Sequence, residues 1–370
     1  MGHGAGAMED LVVPTSEFWR GRRVLVTGHT GFKGSWLLLW LHQVGAELVG
    51  FGLEAPTAPS LFVQAGLSEL CTNVHGDVRD GAAVRRVVSD SEPSIVLHLA
   101  AQPLVRESYR TPVATVATNV MGTVHLLDAI REQPSVKAAV MVTTDKVYEN
   151  RESIWGYRED DALGGHDPYS ASKACADLLT SSYRRGFFAG PDAPGIASAR
   201  AGNVIGGGDW AADRLIPDLV RAVHDRAPCA IRNPGATRPW QHVLEPLAGY
   251  LILAERLVED RGLAQGAWNF GPRDEDAISV DRLSRCFTEH WSPEAAEFIV
   301  ADTSEQPHEA GYLHLDWTRA RRHLNWAPRW DVPEAVARTV RLYKTLLGAS
   351  EVGQARSGMM RDIFDYMEAR

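Results

Sequence analysis

Three glycines at three-residue intervals, Gly28, Gly31 and Gly34, follow the apolar run Arg23-Val24-Leu25-Val26-Thr27 and open a helical stretch. No other feature restricts the chain as much. In such a turn the first glycine lets the chain reverse tightly. The second lets backbone approach a pyrophosphate, and the third lets helix and strand pack closely. The phosphates of a dinucleotide would face the amide end of the helix that follows. Three spaced glycines are common by themselves, and the bland alternative is a tight turn with no ligand. The apolar strand directly before them favours the binding reading.

The helix after the turn runs from about Lys33 to Val44, with Trp36, Leu37, Trp40, Leu41 and Val44 at the ~3.6-residue helical period. Gly45 ends it. Strand-like runs recur at Glu47–Gly52, up to Val78, at Ser94–Leu99, Ala138–Thr143 and Gly195–Asn203. Between them lie helical stretches at Ala82–Ser89, Thr115–Arg131 and Tyr169–Arg185. The alternation predicts an α/β fold, a Rossmann-like doubly wound parallel sheet with a smaller mixed α/β lobe. The expected division is a flexible leader over 1–17 and a dinucleotide-binding domain over 18–204. A mostly substrate-binding lobe follows over 205–350, with helix 242–258 packing back on the first domain, and then a C-terminal tail over 351–370.

The net charge of -9 argues against a nucleic-acid partner. Cys71, Cys175, Cys229 and Cys286 stand far apart with no CxxC pair, so neither a metal site nor a disulfide framework is expected. Reduced thiols in a cytoplasmic protein are the plain reading. The longest apolar runs, such as Trp36 to Leu41, are too short to span a bilayer, so no membrane partner is expected.

The candidate cofactor-binding residues are Gly28, His29, Thr30, Gly31, Phe32, Lys33 and Gly34, then Asp77 and Val78 bordering an adenine. Leu99, Ala100 and Ala101 follow at a strand end. The second strand ends in Gly52-Leu53, without the acidic residue that usually holds the adenosine ribose. His29 and Lys33 could approach a 2′-phosphate or, equally, the pyrophosphate. No arginine follows that strand, which favours NAD over NADP.

Tyr169 and Lys173 lie four apart at the start of a helix entered through Asp167-Pro168. An ammonium on the same face as a phenol lowers the phenol's pKa, so Tyr169 can take a proton from a hydroxyl. Thr143-Thr144-Asp145-Lys146 ends the preceding strand, where ligands sit in such folds. Thr143 or Thr144 supplies a hydroxyl beside Tyr169, and Thr143, Tyr169 and Lys173 also border the cofactor. Asp145 and Lys146 exceed what oxidation needs. As an acid and a base they suit the loss of water next to a transient ketone. The bland alternative is a surface ion pair. Gln102, Asn203, Arg232, Arg238 and His242 are the candidate substrate-binding residues, the basic ones suited to a pyrophosphate. Trp210 and Trp240 could stack on a base or sugar, or simply pack in the core.

These motifs resemble one family over about residues 18–335. The segments that carry the likeness run from Gly28 to Leu37, Ala55 to Phe62, Ala100 to Val105, Asp145 to Tyr148, Gly202 to Trp210 and Arg238 to Val243. They are similar to those of the CDP-glucose 4,6-dehydratases, of the extended short-chain dehydrogenase/reductase superfamily. The resemblance implies a tightly held, recycled NAD and a nucleotide-sugar substrate, CDP-glucose. It implies oxidation at C4, loss of water across C5 and C6, and return of the hydride to C6. By position it makes Thr143 or Thr144 the helper at O4, Tyr169 the base there and Asp145 the acid at O6. Lys146 falls where related dTDP-glucose dehydratases carry a glutamate base. Asn203, Arg238 and His242 match the nucleotide-sugar side. The family implies a homodimer, or a tetramer, built through Thr115–Arg131 and Tyr169–Arg185. Thr143-Thr144 in place of a more frequent Thr-Ser, and Val147 in place of Cys, leave room for another nucleotide. Rival readings are a 4-epimerase or 4-reductase, which has no need of Asp145 and Lys146, and a non-catalytic NAD-binding regulatory protein.

Overall fold

The computed structural model describes residues 12–292, 298–300, 312–349 and 351–369. Its first half alternates strand and helix: β1 Arg23–Thr27, α1 Phe32–Gln43, β2 Glu47–Gly52, β3 Thr72–His75, α2 Gly81–Ser91 and β4 Ile95–His98. Then come α3 Pro112–Arg131, β5 Ala138–Val142, α4 Pro168–Gly186 and β6 Gly195–Ala201. The second half contributes α5 Leu215–Asp225, α6 Leu244–Glu259, β7 Gly266–Phe270, α7 Val332–Gly348 and α8 Val352–Glu368.

The seven strands form one parallel sheet in the order β7-β6-β5-β4-β1-β2-β3. The winding reverses between β1 and β4, which opens a crevice at their carboxyl ends. β4, β5 and β6 are buried at every position, because helices cover both faces of the sheet. One core holds α1 and α6 against the sheet, and the other holds α2 and α3. α1 is buried from Gly34 to Leu41 because α6 and α8 cover the side that the sheet does not.

The doubly wound sheet agrees with the sequence expectation, but three stretches differ from it. β7, expected within the substrate lobe, pairs with β6 and forms the edge of the main sheet. The expected tail is instead a 17-residue helix. Its buried residues Ala355, Met359, Ile363 and Tyr366 fall on one face and dock beside α1. The leader expected over 1–17 lies outside the described residues up to 11. Beyond that, Thr15 caps a turn of helix, Ser16–Trp19, whose Trp19 is buried. Helix α3 is long and apolar enough to cross a membrane by composition, but it packs between α2 and α4.

Trp19 anchors the amino-terminal segment by donating its Nε1 proton to Glu255 on α6, at 2.6 Å. Burial raises the Glu255 pKa from 4.5 to about 7. The folded protein therefore holds a proton that the unfolded chain has already released. This stabilisation is complete below pH 4.5 and is lost as pH rises through 7. Urea unfolding at pH 5 and pH 8 should show the native protein losing stability with rising pH. Glu255→Gln, which keeps the acceptor for Trp19, should flatten that loss by up to about 3 kcal/mol. An unchanged slope would contradict the assignment.

Candidate active site

The carboxyl ends of β1, β4, β5 and β6 open into a cleft of about 1180 Å³. That exceeds an ordinary small-ligand pocket and has room for two nucleotide-sized molecules. The glycine turn forms one wall. Gly28 has φ +73°, and a Cβ there would stand 2.7 Å from the Ala100 backbone. A Cβ on Gly34 would stand 2.2 Å from the Gly28 carbonyl, so α1 can cross the strand end only where that side chain is missing. Gly31 lines the cleft, and a Cβ there would meet no atom closer than 3.4 Å. The space it leaves free lies beside the amide end of α1, where a pyrophosphate fits.

Beneath the turn, Thr27 Oγ1 lies 2.7 Å from His98 Nδ1 and accepts a proton from the Ala100 amide. Thr30, Phe32, Lys33, Val78, Leu99, Ala100 and Ala101 line the cleft. Asp77 lies at the rim, tied to Arg79 by side-chain and backbone bonds that hold its carboxyl below the usual range. Arg79 escaped the sequence reading because it follows β3 rather than β2.

His29 does not reach the cleft. Its ring is buried under β2, with Nε2 at 2.7 Å from Asn73 Oδ1 and an edge against Phe62. Gly50 makes room for it. Lys33 points to the cleft floor, 5.9 Å from the Tyr250 ring centre, rather than toward the end of β2. Burial, together with the Arg214 charge, draws its pKa down to about 8, against the pull of Asp145.

The reacting groups sit on the facing wall. Asp167 accepts the Ser170 amide at 2.9 Å and caps α4 with Pro168 behind it, which delivers Tyr169 and Lys173 to the cleft. Lys173 donates to the Val142 carbonyl at 3.1 Å, and burial draws its pKa down to about 8. The expected lowering of the Tyr169 pKa is not found. Burial pushes that phenol up to about 12, only partly offset by its hydrogen bond with Thr144. Of the two candidate threonines, Thr143 gives its proton to Asp177 at 3.1 Å. Thr144 is the one at Tyr169, and it donates to Asp145 Oδ1 at 2.9 Å. Asp145 is 1% exposed, and its Oδ2 has no hydrogen-bond partner among the described residues. Lys146 lines the same wall.

On the substrate side, Asn203, Arg232 and Arg238 line the cleft. Arg232 is braced by Asp213 at 3.0 Å. Gln102 lines the cleft too, but its side chain is spent on the Leu104 backbone and the Thr115 hydroxyl, so it shapes the loop. His242 is a core residue. It is fully buried between Trp36 and Trp330, its Nδ1 accepts the Leu244 amide, and burial holds its pKa down at about 3. Trp210 and Trp240 are mostly buried, with indole protons given to Gln64 and the Ile278 carbonyl. The sequence reading missed Arg214, which lies in the cleft within electrostatic reach of Tyr169 and Lys33. Asp209 holds it at 2.7 Å. No motif marks it, and an acid five residues earlier is a weak sign.

Residues 25–339 match the GDP-mannose 4,6 dehydratase family. The chain is 48% identical to a CDP-glucose 4,6-dehydratase of Salmonella typhimurium, over 95% of this chain and 98% of that relative. It is 30% identical to a dTDP-glucose 4,6-dehydratase of Streptomyces antibioticus, over 87% and 92%. Its fold superposes on a dTDP-glucose 4,6-dehydratase from Streptomyces venezuelae with NAD bound, at TM-score 0.73 and 24% identity, over 87% and 97%. It also superposes on a Thermus thermophilus UDP-glucose 4-epimerase in complex with NAD, at TM-score 0.75 and 23% identity, over 88% and 99%.

Proposed function

The chain belongs to the GDP-mannose 4,6 dehydratase family, and from that premise we propose that it is an NAD-dependent dehydratase converting CDP-glucose to CDP-4-keto-6-deoxyglucose. The observation that carries this reading is the second acid–base pair. Asp145 and Lys146 share a cleft with Tyr169 and Lys173. An enzyme that only oxidises or epimerises C4 has no use for that pair.

The glycine turn and the open space at Gly31 fit the pyrophosphate of NAD. Bound NAD supplies a reversible two-electron acceptor for C4 of the hexose, and the carbonyl formed there acidifies the C5 proton. Tyr169 takes the proton of O4, held to its task by Thr144. Lys173, fixed on the Val142 carbonyl, sets the positive field of that wall. Lys146 removes the C5 proton. Asp145 gives its proton to O6, which leaves as water. Arg214, Arg232 and Arg238 face the diphosphate, and their charges match it.

The test is CDP-glucose carrying deuterium on C4. The product should be lighter by one water, with the deuterium on C6 of the same molecule. Deuterium lost to solvent, or still on C4 after full conversion, overturns the reading. An epimerase would leave the mass unchanged. Parallel reactions with dTDP-, UDP- and GDP-glucose rank the nucleotide, and faster turnover of any of these would move the assignment to another hexose nucleotide.

The enzyme works in the cytoplasm as a homodimer. Val113, Val116 and Met121 on α3 and Leu178 on α4 are exposed, an apolar surface suited to pairing with a second copy. Sedimentation should give twice the chain mass, and Val113→Glu with Leu178→Glu should halve it. A single-chain mass for the unaltered protein would exclude the dimer, and four chains would favour the tetramer.

A further inference from the structure

Resting on that functional reading, the charges of the cleft point to a further substrate-binding residue on the cofactor side. Arg214, Arg232 and Arg238, the side chains matched to the diphosphate, all come from the second half of the chain. Arg106 lines the same cleft, but it stands on the short helix Val105–Arg110 that follows β4. That helix is firmly mounted. Its Ser108 donates to the Val105 carbonyl at 2.6 Å and accepts the Tyr169 amide at 3.1 Å, so it touches the start of α4.

Arg106 and Arg232 meet on one carboxylate. Arg232 Nη1 lies 3.0 Å and Arg106 Nη1 3.3 Å from the same oxygen, Oδ1 of Asp213. Arg232 also donates to the Asp213 carbonyl at 2.8 Å. Asp213 itself takes φ +62°, in the left-handed region, which an aspartate enters more readily than most side chains. Both charged contacts fall on a single oxygen, whereas two guanidinium forks can engage several oxygens of a diphosphate at once. The three side chains are 23% to 38% exposed, so these ion pairs exchange partners at little cost.

We propose that Arg106 is a diphosphate-binding residue supplied by the cofactor domain, and that Asp213 is an internal stand-in for the diphosphate, giving up Arg106 and Arg232 when a sugar nucleotide enters. The bound substrate then joins the two halves of the cleft. It does so through the helix whose Ser108 holds the Tyr169 amide. A nucleoside without phosphates leaves the Asp213 pairs in place.

Titration calorimetry with CDP and with cytidine, at saturating NAD, reads the exchange. Arg106→Gln keeps a polar side chain and removes the charge. It should weaken CDP by about tenfold or more, the scale of a hydrogen bond to a charged group, and leave cytidine within about twofold. With CDP-glucose its KM should rise by a similar factor while kcat stays within about threefold, because the contact is the same before and during the chemistry. Asp213→Asn keeps a residue that accepts the left-handed backbone and removes the competing charge. It should bind CDP about three- to fivefold more tightly. The Arg106→Gln loss should persist when combined with Asp213→Asn, as it must if Arg106 meets the diphosphate rather than acting only on Asp213. Where another sugar nucleotide turns over faster, its own nucleoside diphosphate and nucleoside replace CDP and cytidine. Native CDP affinity in Arg106→Gln, or equal weakening of cytidine, overturns the proposal. So does weaker CDP binding in Asp213→Asn, which would make that carboxylate a plain brace for Arg232, or disappearance of the Arg106 loss in the doubled variant. These outcomes leave the dehydratase reading standing, whereas failure of the unaltered protein to release water from any tested sugar nucleotide removes both.

Discussion

Tyr169→Phe is expected to stop the reaction before any sugar is oxidised. The loss in kcat should be about 10²–10⁴-fold, the range spanned by a positioned general base. The phenol is buried, and its pKa is pushed up to about 12, so it holds its proton firmly in the protein alone. Its own hydrogen bond with Thr144 and the Arg214 charge act the other way. Beside bound NAD, Tyr169 would feel the positive charge of the nicotinamide in the same direction. Removing the oxygen leaves the ring in place, so cofactor affinity measured by fluorescence titration should change little. In single-turnover mixing the absorbance of reduced nicotinamide should fail to appear. If it appears at the native rate, another group takes the O4 proton.

The second large effect separates the two halves of the chemistry. Asp145→Asn is isosteric and keeps an acceptor for Thr144, but it cannot give up a proton. Oxidation at C4 should survive while release of water slows by about 10²–10⁴-fold. Lys146→Ala should slow water loss by a similar factor and also abolish exchange of the C5 proton with solvent, read by incubating substrate in deuterium oxide. C5 exchange that persists undiminished in Lys146→Ala would remove that residue as the base. Lys33 complicates any simple picture of the acid. Its side chain lies within electrostatic reach of Asp145, whose Oδ1 also accepts the Thr144 hydroxyl.

The parts of the fold that were legible in the sequence share a physical cause. Strands β1, β4, β5 and β6 lie deep in the sheet, and burial on both sides makes them nearly continuous apolar runs. β3 is an exposed edge of sequence Thr-Asn-Val-His, so only its end could be read. α8 carried a readable signal in Ala355, Met359, Ile363 and Tyr366, whose spacing is helical. Motif position located Tyr169, Lys173, Asp145 and Lys146, because a strand end followed by a capped helix fixes where side chains emerge. It failed for His29 and His242, which stand beside motif residues but face the other way, one under β2 and one between two tryptophans. Choosing between Thr143 and Thr144 required knowing that Asp177 lies behind β5.

The last strand of the sheet, β7, is laid down only after the chain has built much of the opposite wall of the cleft. The two lobes are therefore stitched together rather than strung in series. Cutting after residue 204 would strip β6 of its neighbour and expose a bare row of peptide groups. Exchanging whole lobes between relatives is thus a poor route to a new nucleotide preference in this architecture. Change has to come through single side chains around the rim, which is the kind of variation that gene duplication followed by point mutation readily supplies.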